Sequence, residues 1–305
     1  MLYTIPTALI LFASLSAASP ALRQDMPTMN KAGIQIAARN DELMLSTDAA
    51  SNTLNTNAAC DDFGKIQAAG YTLTNNIWGR KKGVTLVGSQ CVNVNSIKGN
   101  QVAWTADFAW LKGDGGVKSF PNMQLNRNPI PLSNIRSMRT TFNWDLYCNP
   151  KSPIEASMVY DLWLGPTNDV NNKKNEVMVW TGARGGAGPL TTDYVNWEPY
   201  RKNVQVPGIL GLWDLYKGSN GDVTVHSFVA ASGRGRGKGN WVERTKFTGN
   251  LVDFLKYMTG TLKEIPANYY LVQSQAGAEL TYGGRNPAGS RSCKFAVNQF
   301  DLEVS

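Results

Sequence analysis

The sequence carries a single histidine, His226, in 305 residues. Any Ser-His-Asp or Cys-His nucleophilic site would have to be built on that one imidazole. It lies in Val223-Thr224-Val225-His226-Ser227-Phe228-Val229-Ala230, a strand-like run with no nucleophile motif nearby, where a packed structural histidine is the better reading. Cysteines number only four, none with CxxC spacing, so a zinc centre is not expected and no metal or other cofactor is assigned. The glycine runs lack the strand-then-helix context of a dinucleotide site. There is no Asn-x-Ser/Thr sequon. No segment reaches the roughly 20 apolar residues of a membrane-spanning helix. Between residues 13 and 62 there is no Phe, Tyr or Trp, so that stretch cannot build a core.

What is present divides the chain. Residues 1–18 carry no charge and run through an apolar stretch at 8–13 to small residues at Ser16 and Ala18, the pattern of a signal peptide. Residues 19–59 are expected to be a disordered linker and residues 60–305 a single domain. Export and an even count of cysteines (Cys60, Cys91, Cys148 and Cys293) fit an oxidising, extracellular setting with two disulfides in one of three connectivities. The net charge of +7 is spread along the chain. Its densest basic run, Arg234, Arg236 and Lys238 among glycines, reads as a solvated loop, so neither a nucleic-acid nor a membrane partner is expected.

After Cys60 short alternating runs are punctuated by Gly, Asn, Pro and Ser, the signature of a β-sandwich or barrel. In the run 102–110 Trp104, Phe108 and Trp110 share one face; further strands are read at 157–163, 176–180 and 223–229. One segment has helical spacing instead, with Phe247, Leu251, Phe254, Leu255 and Met258 on one stripe and Thr248 as its N-cap. A single helix covering a β-sandwich is the expected arrangement.

Three carboxylates stand inside strand-like runs among aromatics: Asp161, Glu176 and Glu279. Alternation puts Glu176, Met178 and Trp180 on one face and Val177 and Val179 on the other, so the valines can fill a core while the acid sits beside a sulfur and an indole. Gln273, Gln275, Gly277 and Glu279 likewise share a face. Acids and amides buried in a dry core need partners, so these faces are either ordinary outward sheet surface or the floor of a cleft. A cleft of this make-up suits a sugar, whose ring face stacks on aromatics while its hydroxyls bond to polar groups.

These motifs have a family likeness. Asn75-Asn76-Ile77-Trp78-Gly79, Gly88-Ser89-Gln90-Cys91, Val117-Lys118-Ser119-Phe120-Pro121-Asn122, Val159-Tyr160-Asp161-Leu162, Glu176-Val177-Met178-Val179-Trp180, Gly185-Gly186-Ala187-Gly188-Pro189, Leu215-Tyr216-Lys217-Gly218, Ser227-Phe228-Val229-Ala230 and Ala276-Gly277-Ala278-Glu279 run in order. From about Cys60 onward the chain resembles glycoside hydrolase family 12, secreted endoglucanases and xyloglucan hydrolases. The resemblance implies an all-β jelly roll of two antiparallel sheets with one covering helix and an open cleft on the concave sheet. It implies Glu176 as nucleophile, Glu279 as acid/base and Asp161 as the partner hydrogen-bonded to the nucleophile. It places Asn76 and Trp78 on the non-reducing side of the substrate, with Met178 and Trp180 near the cut. A family disulfide implies Cys60 with Cys91, which leaves Cys148 with Cys293. Ala278, Leu280 and Arg184 depart from the usual pattern and put the setting of Glu279 in question.

Two carboxyl groups suit this chemistry because the leaving oxygen must be protonated while an anion meets the developing positive charge at the anomeric carbon. The expected activity is retaining, endo-acting hydrolysis of β-1,4-glucan by a secreted monomer, with xyloglucan as the rival substrate. A catalytically weak glucan-binding or elicitor protein, or a galectin-like lectin, would need no such pair.

Overall fold

The computed structural model describes residues 58–79, 86–112, 116–231, 241–284 and 290–305. The expected leader, the linker up to residue 57 and the basic loop at 234–238 lie outside them. Ala59, within the expected linker, instead forms a β-bridge with Val92, each accepting the other's N–H at 2.9 Å.

The described residues form fifteen strands: β1 (Lys65–Ala68), β2 (Tyr71–Thr74), β3 (Gly88–Lys98), β4 (Gln101–Trp110), β5 (Asn122–Leu125), β6 (Ile130–Pro131), β7 (Met138–Cys148), β8 (Ile154–Gly165), β9 (Asn175–Arg184), β10 (Arg201–Gln205), β11 (Leu212–Asn220), β12 (Val223–Ala230), β13 (Lys246–Asn250), β14 (Tyr270–Gly283) and β15 (Cys293–Val304). One group pairs in the order β10-β11-β12-β9-β8-β14, with β5, β2 and β1 continuing beyond β14; the other runs β3-β4-β15-β7-β13. Among the described residues they join at one residue pair, Gly283 with Trp110, so the two expected sheets are halves of one curled sheet. The pairing is not antiparallel throughout. After β9 the chain makes the β10-β11-β12 meander and returns so that β12 lies parallel to β9; an excursion of this length is what a parallel neighbour requires.

The core fills the space between the halves. Trp104, Phe108 and Trp110 of β4 are at most 1% exposed, as period two predicts, and meet Phe142 and Trp144 of β7, Phe295 of β15, and Val177 and Val179 of β9. Edge-on aromatic contacts such as Trp104–Phe295 at 5.4 Å and Trp213–Phe254 at 5.1 Å add to burial worth about 1.5–3 kcal/mol per large side chain. Disulfides join Cys60 to Cys91 and Cys148 to Cys293.

The helical segment starts later than its spacing predicts. Phe247 and Thr248 belong to β13, where they pair with Phe142 and Thr141 of β7. The helix α1 is Val252–Lys256, continued by a π turn at Tyr257–Thr261, and its N-cap is Leu251 with no side-chain cap bond; Thr248 caps nothing. Backbone pairing at the sheet edge holds the first apolar position of the stripe in a strand. Phe247 still faces the same core as Leu251, Phe254, Leu255 and Met258, which is why the pattern reads as continuous.

Candidate active site

Strands β9, β8 and β14 lie side by side, and alternation sorts their side chains. Tyr160, Leu162, Val177, Val179, Ala276 and Ala278 enter the main core. Their neighbours point to the opposite face, where Met178 and Trp180 pack with Phe120, Val159 and Tyr216, and Trp78 leans against them. Register places Met178 opposite Asp161, and Asp161 opposite Gln275. Glu176 stands opposite Trp163 and Glu279 opposite Ser157, so the two glutamates flank Asp161 from different neighbouring strands.

Asp161 and Glu176 are only 4% and 6% exposed; Glu279 is half-buried. Asp161 Oδ2 accepts a bond from the Trp163 indole N–H at 2.8 Å, and Glu279 Oε2 accepts one from the Ser157 hydroxyl at 3.0 Å. The titrations of Asp161 and Glu176 are tied by a side-chain hydrogen bond between them, a bond that needs a proton on one of the two carboxyls. Burial pushes Asp161 up to about 7, against the opposing bonds from Glu176 and Trp163. Burial likewise drives Glu176 well above the usual carboxylate range, helped by the charges of Asp161 and Glu279. Glu279 is raised by burial and eased by Ser157. Three carboxyl groups thus act on one another across one face, and their apparent titrations belong to the cluster.

The flanking motif residues serve as supports. Gly277 must lack a side chain, because a Cβ there would sit 2.1 Å from the Pro121 carbonyl, and Ala278 N–H donates to that same oxygen at 3.2 Å. Leu280, where the family pattern has proline, donates its N–H to Ser119 O at 2.9 Å, a bond proline could not make. Ala278 and Leu280 are both fully buried in the core, away from the cleft. Gln90 donates to Asn75 Oδ1 at 2.9 Å and accepts from Ser119 Oγ at 2.6 Å and Trp110 Nε1 at 3.2 Å, tying three of the motifs together. Asn76 adopts φ 46°, a left-handed conformation that Asn tolerates, and its carbonyl accepts from Phe120 N–H at 2.9 Å. Arg184 is held off the acids: its guanidinium makes a two-pronged contact with Glu243 at 2.7 and 3.0 Å and donates to Leu146 O.

Four further residues of this face escaped the sequence reading: Ser157, Trp163, Lys173 and Trp197. Ser157 and Trp163 sit at even spacing from Asp161, so period two would have found them. Trp197 has no periodic signal, since it lies in an irregular loop with φ 54°. It lines a cavity beside Glu279 together with Ser157, Trp180, Gly186, Gly188 and Thr281. Gly188 makes room for it, as a Cβ there would meet the indole at 2.4 Å. His226, the lone histidine, is fully buried at the back of β12, with its pKa pushed down to about 4 by burial, and takes no part in this face.

A face of aromatic and sulfur surface whose carboxyl groups have raised, linked titrations can bind a sugar ring and move protons at its linkage. Comparison with known proteins points the same way. Residues 69–305 match the model of glycosyl hydrolase family 12. A probable xyloglucan-specific endo-beta-1,4-glucanase A from Aspergillus niger is 34% identical over 262 residues, covering 86% of this chain and 96% of that protein. The crystal structure of Trichoderma harzianum endoglucanase 3 superposes with a TM-score of 0.67 at 26% identity, covering 84% of this chain and all (100%) of that one. The catalytic domain of Humicola grisea Cel12A, in complex with a soaked thio cellotetraose, gives a TM-score of 0.65 at 26% identity over 82% of this chain and 99% of its own. The chain is a member of glycosyl hydrolase family 12.

Proposed function

We propose that the protein cleaves internal β-1,4 links of glucan chains with retention of configuration. Glu176 attacks the anomeric carbon as the leaving oxygen takes a proton from Glu279, giving a glycosyl-enzyme ester; Glu279 then removes a proton from water, which displaces Glu176. Asp161 stabilises the ionised form of Glu176 by holding the shared proton during attack. Asn76 and Trp78 bind glucosyl units on the non-reducing side, and Met178 and Trp180 shape the floor at the cut. The observation that carries this reading is the set of three interacting carboxyl groups, two buried and one half-buried, on the face that also presents Met178 and Trp180.

Burial raises the pKa of Glu279, the direction that favours the protonated form a general acid needs. Xyloglucan is the second reading of the substrate, supported by the name of the Aspergillus niger relative. Its two disulfides fit an enzyme that acts outside the cell.

The test is reducing-sugar release from carboxymethylcellulose, mixed-linkage β-glucan and xyloglucan by the wild type, Glu176→Gln and Glu279→Gln. Both variants should lose at least about a hundredfold. Glu279→Gln should recover the first step on aryl glycosides whose leaving group needs no acid. Equal release by the wild type and Glu176→Gln would dismiss the mechanism.

A further inference from the structure

Lys173 lies in the turn between β8 and β9, and its ammonium is turned inward. Its Nζ sits 4.3 Å from the centroid of the Trp163 ring and donates a hydrogen bond to Gln273 Oε1. Gln273 is itself held, donating to Gln124 Oε1 at 2.6 Å, an oxygen that also accepts from Gln275 at 3.2 Å. Gln273 faces Trp163 across the β14–β8 ladder, so the amide and the indole fix the ammonium from two strands. The edge of that same indole donates to Asp161 Oδ2 at 2.8 Å. The contacts therefore run Lys173, Trp163, Asp161, Glu176.

We infer that Lys173 is a positioning residue for the reaction, its charge acting through Trp163 and through space to keep the Asp161–Glu176 pair singly ionised, with Glu176 ready to attack. The role rests on the reading of Glu176 as nucleophile. A cation on the face of an indole draws density from the ring and strengthens its N–H as a donor to the carboxylate at its edge. The charged groups acting on the pair from the packed elements are Lys173 of the turn and Glu279 of β14. Glu279 favours protonation of the pair; Lys173 opposes it. Reciprocally, burial lowers the pKa of the lysine while Asp161 and Glu176 act against that fall, so the charge on Lys173 and the two acids are within reach of one another. A lysine that merely covered the indole with its methylene stem would have no effect on titration.

The test is the pH profile of kcat/KM on a soluble β-glucan, using the full chain as wild type, Lys173→Met, Lys173→Arg and Trp163→Phe. Loss of the positive charge makes the pair harder to ionise, so the acid limb of Lys173→Met should move up by about one pH unit. Activity on the acid flank then falls up to about tenfold while the plateau changes less than about twofold. Lys173→Arg should restore the wild-type limb. Trp163→Phe keeps a ring under the ammonium but removes the donor to Asp161, and should move the limb the same way. An unmoved limb in Lys173→Met, or an arginine variant that behaves like the methionine one, overturns the role. A substrate-free readout separates this outcome from failure of the functional reading: the ¹³C titration of the Asp161 and Glu176 carboxyls should shift upward in Lys173→Met whether or not glucan is cut. No shift there overturns the proposal independently of activity.

Discussion

Replacing Asp161 with asparagine should make the protein more stable than wild type at neutral pH, with that gain disappearing as the solution is acidified. Burial raises Asp161 from 3.8 to about 7. The folded state therefore holds that proton more tightly than the unfolded chain, which releases it first as the pH rises. Stability contributed by the protonated acid is complete below the unfolded pKa and is lost as pH climbs through the folded one. About three pH units at 1.36 kcal/mol each come to about 4 kcal/mol by pH 7. Glu176 shares the proton and stays buried in the variant, so about half of this, roughly 2 kcal/mol, should be relieved. The introduced amide is not isolated either, since its oxygen can still accept from Trp163 and its nitrogen can donate to Glu176. For a domain of this length the gain corresponds to a Tm higher by about 4–8 °C at pH 7. Calorimetric scans of wild type and Asp161→Asn from about pH 3.5 to 7 test it, with glucan cleavage expected to fall in the same variant. A Tm difference that is independent of pH, or a variant less stable at pH 7, would refute the reasoning.

Two more outcomes follow from the structure. His226 titrates at about 4 in the folded protein against 6.5 unfolded, so the unfolded chain takes up its proton first on acidification. The contribution of His226 to stability should fall by about 3 kcal/mol between about pH 6.5 and 4, and urea unfolding of His226→Gln should lack that component of the pH slope; equal slopes would contradict it. Gly277→Ala forces a Cβ to 2.1 Å from the Pro121 carbonyl and displaces the strand that carries Glu279. It should cost about 1–3 kcal/mol in urea unfolding and lower kcat; a wild-type midpoint and rate would show that the close approach relaxes freely.

The parts of this fold legible in the sequence are those governed by neighbours two residues apart. Glu176, Met178 and Trp180 against Val177 and Val179 sort themselves by alternation alone, as do Gln273 to Glu279. The parts that are not legible depend on distant pairing. Phe247 fits a helical stripe with Leu251, yet the hydrogen bonds offered by β7 hold it in a strand. The parallel placement of β12 beside β9, and the one-pair seam between Gly283 and Trp110, are set by register between segments far apart in the chain. Within the site, the roles of Glu176 and Glu279 come from family likeness, while the burial that raises both and the link of Glu176 to Asp161 depend on the folded chain. Lys173 shows the limit most plainly. In sequence it is one of two lysines in a polar turn, and only the folded chain sets its ammonium on Trp163.

The central claim is that Glu176 forms the bond to sugar while Glu279 supplies and recovers the proton. A 2-deoxy-2-fluoro cello-oligosaccharide with an activated leaving group should trap the ester, and peptide mass spectrometry should find the label on Glu176, with β-configured product released first in untrapped turnover. Label on Glu279 or Asp161, or an α-configured first product, would contradict the account.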